Sequence, residues 1–184
     1  MKILTRMLIL STTIFCLQCS NKEQPVNEQD EFLFMEYSID QLHQGYKNQS
    51  YSIVDVVGAY LDRIEAIDIH GPALNSMISI NPDALEIAQS LDNELEEGKI
   101  RGSLHGIPVV LKDNIDTNDK MPTTAGSRAL KDSYPLKDSY VAKKLREAGA
   151  VIIGKANLSE WANFRGQLST RDRKSTRLNS SHYS

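Results

Sequence analysis

Gly106-Ile107-Pro108-Val109-Val110-Leu111-Lys112-Asp113-Asn114 is the stretch whose reading decides the fold. Val109–Leu111 is a continuous apolar run, as in a strand covered on both faces, and it runs straight into a lysine and an aspartate. A long polar loop follows through Pro122-Thr123-Thr124-Ala125-Gly126-Ser127. The next apolar pattern predicts a helix over Tyr140–Ala148, with Val141, Leu145 and Ala148 inward and Gly149 at its C-terminal end. Val151–Ile153 reads as a second buried strand, ended by Gly154-Lys155. Strand, crossover helix and strand make a βαβ unit, so the fold class is α/β with a mixed, at least partly parallel sheet flanked by helices. Ligands of such sheets gather beyond the carboxyl ends of the strands, where Lys112 and Lys155 both stand.

Upstream, the pattern is helical. Ser38 is placed to cap a short helix through Ile39, Leu42 and Gln44 that ends at Gly45. Ser52 with Asp55 three residues later is a start signal for a helix carrying Ile53, Val56, Val57, Tyr60, Leu61, Ile64 and Ile67, which Gly71-Pro72 terminates. Met77–Ile80 is a short strand. Asn81-Pro82 then reads as a cap and first-turn proline before a helix with Ala84, Leu85, Ala88, Leu91 and Leu95, closed by Gly98. Glu94, Glu96 and Glu97 read as its solvated face.

The chain has 184 residues, enough for one modest domain, and its 40% hydrophobic and 24% charged residues permit a packed core. The net charge of −3 divides into +2 over residues 1–18, +3 over 171–184 and −8 between them. An acidic body offers no face for phosphates, so a nucleic-acid partner is not expected.

The first nineteen residues read as an export signal. Lys2 and Arg6 form a positive start, and the apolar run Met7–Leu17 is too short for a stable membrane span. Cys16 and Cys19 close it, and the polar stretch Ser20–Asp30 follows. This pattern resembles a bacterial lipoprotein signal in which Cys19 carries the lipid, giving a membrane contact through the anchor alone; an ordinary secretory signal is the other reading. Residues 20–36 read as a polar linker and 37–170 as the folded part. No cysteine remains there for a disulfide or a zinc site, and His43, His70 and His105 have no spaced partners for a metal.

Two readings are open for a lysine ending a buried strand. It is a snorkelling side chain or an ion-pair partner of a neighbour such as Asp113, or it is a desolvated amine that accepts a proton from a nucleophile.

The residues around Lys112 extend the reading. Leu104-His105-Gly106-Ile107-Pro108-Val109-Val110-Leu111-Lys112-Asp113-Asn114-Ile115 strongly resembles the stretch around the catalytic lysine of the amidase signature family of hydrolases. Tyr60–Ile64, Gly71–Asn75 and Asn81–Ala84 resemble that family's N-terminal helices, and Met121–Ser127 the loop after the lysine strand. Leu145–Gly149, Val151–Lys155 and Asn157-Leu158-Ser159-Glu160-Trp161-Ala162-Asn163-Phe164 resemble the βαβ unit that follows. The resemblance covers roughly residues 37–170. It implies the N-terminal part of the amidase signature fold and hydrolysis of a carboxylic amide by a serine nucleophile, a second serine preceded by a cis peptide bond, and Lys112 as base. No metal or organic cofactor is implied. Thr124, Ala125, Gly126 and Ser127 would border the pocket for a small amide or peptide amide, or would simply form a turn of small residues.

Beyond Thr170 the family continues into a Gly/Ser-rich segment that supplies both serines. Here the chain reads Arg171-Asp172-Arg173-Lys174-Ser175-Thr176-Arg177-Leu178-Asn179-Ser180-Ser181-His182-Tyr183-Ser184, without glycine or apolar period. Residues 171–184 therefore read as a foreign tail on a truncated frame, and the fragment is expected to be inactive and to expose unpaired strand edges. Two alternatives accompany the amidase reading. One is the amidase-like component of a glutamine-dependent tRNA amidotransferase, against which the export signal argues. The other is a non-catalytic lipoprotein scaffold.

Overall fold

A computed structural model of the chain describes residues 32–162. The signal segment with Cys16 and Cys19, most of the 20–36 linker and the 171–184 tail lie outside the described residues. The linker's last residues are already part of the fold: Phe34 is buried among Tyr46, Ile53 and the residues around them.

Helix α1 (Ile39–Lys47) begins with a capping box, in which Ser38 Oγ accepts from Gln41 N–H and Ser38 N–H donates to the Gln41 side chain. It does not stop at Gly45; it runs through that residue to Lys47, and Gly45 lies under the Tyr51 ring, where a Cβ would collide. Helix α2 (Ile53–Arg63) has the capping box expected of Ser52 and Asp55. The Ser52 N–H that Asp55 accepts holds its carboxyl below the usual carboxylate range. A second cap comes from far along the chain: the buried Asp92 carboxylate accepts from Ile53 N–H (2.8 Å) and Val54 N–H (3.0 Å). Past Arg63 the helix widens into a π-helical turn, Ile64–Ile69.

Strand β1 (Met77–Ile80) leads to helix α3 (Ala84–Glu96). The expected cap at Asn81 is displaced. Asp83 is the N-cap and makes no side-chain cap bond, while Asn81 accepts from Asp83 N–H and donates its amide to Ile152 O (2.8 Å), fastening the turn to the sheet. Glu94 is not merely solvated: Arg101 Nε donates to it at 2.7 Å, and that bond lowers the glutamate's pKa.

Strand β2 (Pro108–Lys112), helix α4 (Tyr140–Glu147) and strand β3 (Val151–Ala156) form the βαβ unit. β2 and β3 pair in parallel and β1 pairs with β3 antiparallel, so the sheet order is β1-β3-β2 and the sheet is mixed. The central strand is β3, and it is the one covered on both faces. Val151 and Ile153 pack with Ile53, Val56, Val57, Ala88 and Leu91 of α2 and α3. Ile152 faces the other way, against Leu111, Met121 and Ala142. Each such side chain contributes roughly 1.5–3 kcal/mol by leaving water.

Two inward assignments fail. β2 is an edge of the described sheet and Val110 is 39% exposed. On α4, Val141 is 51% exposed and its neighbour Ala142 is buried instead, while Leu145 packs inward as expected. The turn before β2 is locked to the end of α4: Gly106 N–H donates to Gly149 O, and Gly149, at φ +88°, would carry a Cβ 2.7 Å from His105 Cα. His105 is buried, with Nδ1 accepting from Arg101 N–H and Nε2 meeting Leu91 O, and His43 Nε2 meets its carbonyl. These contacts are structural. Among the described residues no cluster of metal-ligating side chains is present.

Candidate active site

The sheet register lines up one end of all three strands. Lys112 closes β2 opposite Ala156, and Met77, which opens the antiparallel β1, stands opposite the same Ala156. Pairing continues for one more residue, with Asp113 N–H donating to Ala156 O (3.1 Å). The chain beyond this row makes the site.

Lys112 ends its strand as expected, with an exposed side chain. Its Nζ donates to the backbone carbonyl of Asn157 (3.1 Å), in the turn just past β3. Asp113, the expected ion-pair partner, is engaged elsewhere. It is fully buried, and its Oδ2 accepts from both the hydroxyl and the backbone N–H of Thr124. Its carbonyl accepts from Ala125 N–H at 2.8 Å.

The loop of small residues is thereby folded back against the residue that follows Lys112. Gly126 N–H donates to Thr124 Oγ1, Ser127 N–H to Thr124 O, and Trp161 N–H to Ala125 O. Thr124, Ala125 and Ser127 are all buried. The four predicted pocket residues are thus gathered beside the end of the lysine strand, joined to it through Asp113.

Lys155 is the desolvated lysine of the pair. β3 runs one residue past it, so Lys155 is not at the strand end but inside the central strand, with no exposed surface. Its Nζ donates to Ile115 O and Thr123 Oγ1, each at 2.9 Å. Burial lowers its pKa, against the opposing pull of Asp113, Asp119 and Asp116. It ties β3 to both arms of the loop. Arg146 of α4 holds the far side of that loop through Asp119 (2.6 Å), which itself accepts from Thr117 and from Met121 N–H.

Sequence reasoning does not single out the Asn157 carbonyl or the Asp113–Thr124 pair. The direct succession of Asp113 on Lys112 is the available signal, and by itself it reads as a charge pair. Chemically, the arrangement presents one accessible primary amine beside a rigid loop rich in small residues.

The amidase family model matches residues 55–170. A Schizosaccharomyces pombe protein named as an amidase is 51% identical over 128 residues, covering 70% of this chain and 21% of its own length. A probable amidase of Arabidopsis thaliana is 43% identical over 136 residues, 73% of this chain and 26% of the relative. A glutamyl-tRNA(Gln) amidotransferase component of Microcystis aeruginosa is 42% identical over 126 residues, 68% of this chain and 25% of the relative. The crystal structure of peptide amidase from Stenotrophomonas maltophilia superimposes with a TM-score of 0.71 at 46% identity, covering 75% of this chain and 28% of that one. The chain therefore spans about a quarter of the length of the proteins it matches. With the family model covering well over half of its residues and a solved relative of the same fold, this chain belongs to the amidase family.

Proposed function

We propose that this protein is an exported amidase, anchored through a lipid on Cys19, that hydrolyses the C–N bond of a small carboxylic amide or peptide amide with Lys112 as its base. The observation that carries the reading is the accessible Lys112 amine at the end of β2, beside the Thr124–Ser127 loop fixed through Asp113. The 46% identity to a peptide amidase supports the substrate class.

The family's chemistry supplies the remaining steps. Lys112 draws the nucleophilic serine's proton through the bridging serine, and the serine oxygen attacks the amide carbonyl. Backbone N–H groups hold the oxyanion, which is the main electrostatic contribution to such a reaction. The C–N bond breaks, the proton returns to the departing ammonia or amine, and water releases the acid from the acyl-enzyme. The Thr124–Ser127 segment borders the substrate in this reading.

Amidotransferase chemistry is the second reading, favoured by the 42% identity to the Microcystis aeruginosa protein. The signal at residues 1–19 and the 51% identity to the yeast relative favour the amidase.

A sequencing read across codon 170 in the source genome, followed by an ammonia-release assay on a peptide amide, tests the proposal. Continuation into a Gly/Ser-rich stretch with serine-dependent hydrolysis is expected. A natural stop after Ser184 would overturn the catalytic reading. Cys19→Ala should abolish incorporation of labelled fatty acid, and Cys16→Ala should not.

A further inference from the structure

We infer that Asn157 is a positioning residue for Lys112, the turn after β3 being built to hold the Asn157 carbonyl where it receives the lysine's amine. The inference rests on the reading of Lys112 as the proton-transfer group.

Three strands contribute to this hold, all at the row where Met77, Ala156 and Lys112 align. Asn157 N–H donates to Ser76 O at 2.7 Å, and the Asn157 amide donates from Nδ2 to Asn75 O at 3.1 Å. Asn157 Oδ1 accepts from Leu158 N–H at 2.9 Å. The peptide that presents the carbonyl is therefore fastened on both sides before Lys112 Nζ reaches it.

The anchor is itself anchored. Buried Asp68 accepts from Ser76 N–H (2.7 Å) and Met77 N–H (3.0 Å) through its carboxylate, and from Asn75 N–H (3.1 Å) through its carbonyl. Asn75 itself holds a left-handed backbone at φ +55°. An order of support runs from Asp68 through Asn75 and Ser76 to Asn157, and from there to Lys112.

The residue type follows from the bonds. The side chain must donate to one carbonyl and accept from one amide at short range, which an ionised Asp cannot do because it has no donor. The acceptor offered to Lys112 also fits its role. A neutral carbonyl orients an amine without the charge-assisted grip of a carboxylate.

Competitive acetylation of the 184-residue chain with acetic anhydride over a pH series, read by mass spectrometry, tests this. Lys137, exposed on the loop before α4, serves as comparator, and buried Lys155 reports whether the loop stays closed. Asn157→Ala keeps the carbonyl but removes the side-chain bonds that hold it, so the Lys112 rate should rise roughly 2- to 10-fold, about the worth of one ordinary hydrogen bond, with a displaced pH profile while Lys155 stays slow. Asn157→Gln, which keeps the amide on a longer arm, should move Lys112 in the same direction and decides the matter if the alanine variant does not fold. Unchanged Lys112 labelling in both variants overturns the inference. So does a joint rise of Lys112 and Lys155, which would mean that Asn157 supports the fold at large. If instead Lys112 labelling responds while a Lys112→Ala enzyme keeps its activity, the positioning stands and the base assignment falls.

Discussion

Thr124 donates twice to Asp113, through its hydroxyl and through its backbone N–H, and neither residue has exposed surface. Ala125 N–H adds a bond to the Asp113 carbonyl. Because Asp113 follows Lys112 directly, this pair and the peptide next to it fasten the small-residue loop beside the lysine.

Thr124→Val keeps the shape and removes the hydroxyl donor, leaving the buried carboxylate short of a bond. Hydrogen bonds to charged groups contribute about 1.5–3 kcal/mol, so urea unfolding should show a loss of that order. Thr124→Ser should recover most of it. A valine variant as stable as the parent would show that the pair does not hold the loop.

Lys155 gives the fold a pH dependence of known sign. Its pKa is lowered by burial, so between the folded-state value and the ordinary 10.5 the unfolded chain binds more protons than the folded one. Stability contributed at this site therefore rises with pH across that window. The stability of the parent relative to Lys155→Met should grow from neutral toward alkaline pH, read as the difference in urea midpoints. A difference that shrinks over that range contradicts the buried placement.

Two glycines with positive φ should respond differently to a methyl group. At Gly98 (φ +74°) a Cβ meets nothing within 4 Å, so Gly98→Ala should cost only the left-handed backbone penalty of about 1–2 kcal/mol. At Gly149 (φ +88°) the Cβ also falls on His105, so Gly149→Ala should be clearly the more damaging by thermal or urea unfolding. Equal losses would mean that the turn before β2 does not press on the end of α4.

What can be read in advance is whatever is written within a few residues. The Ser52–Asp55 capping box is a four-residue signal, and the order of β2, α4 and β3 is visible as a periodicity that changes from strand to helix and back. Asp92 capping α2 from 39 residues away has no local mark, since it sits in an acidic stretch that reads as surface. Val110 reads as buried because an apolar run does not disclose whether its strand is central or at an edge; the order β1-β3-β2 makes it an edge. Lys112 and Lys155 look equivalent in the sequence for a related reason. Both follow short apolar runs, but β3 is the central strand and continues past its lysine, which turns one amine inward and leaves the other open. Lys112 is thus placed by sequence at the end of its strand, while its acceptor on Asn157 depends on a turn that only the assembled sheet brings alongside.

The most direct test of Lys112 as the base is the turnover of a peptide amide by the protein read through codon 170, compared with its Lys112→Ala variant. Loss of a positioned proton-transfer group lowers kcat by roughly 10²–10⁴-fold, and a fall of that size is predicted here, with KM little changed and the fold intact. A Lys112→Ala enzyme that keeps the parent's kcat would contradict it.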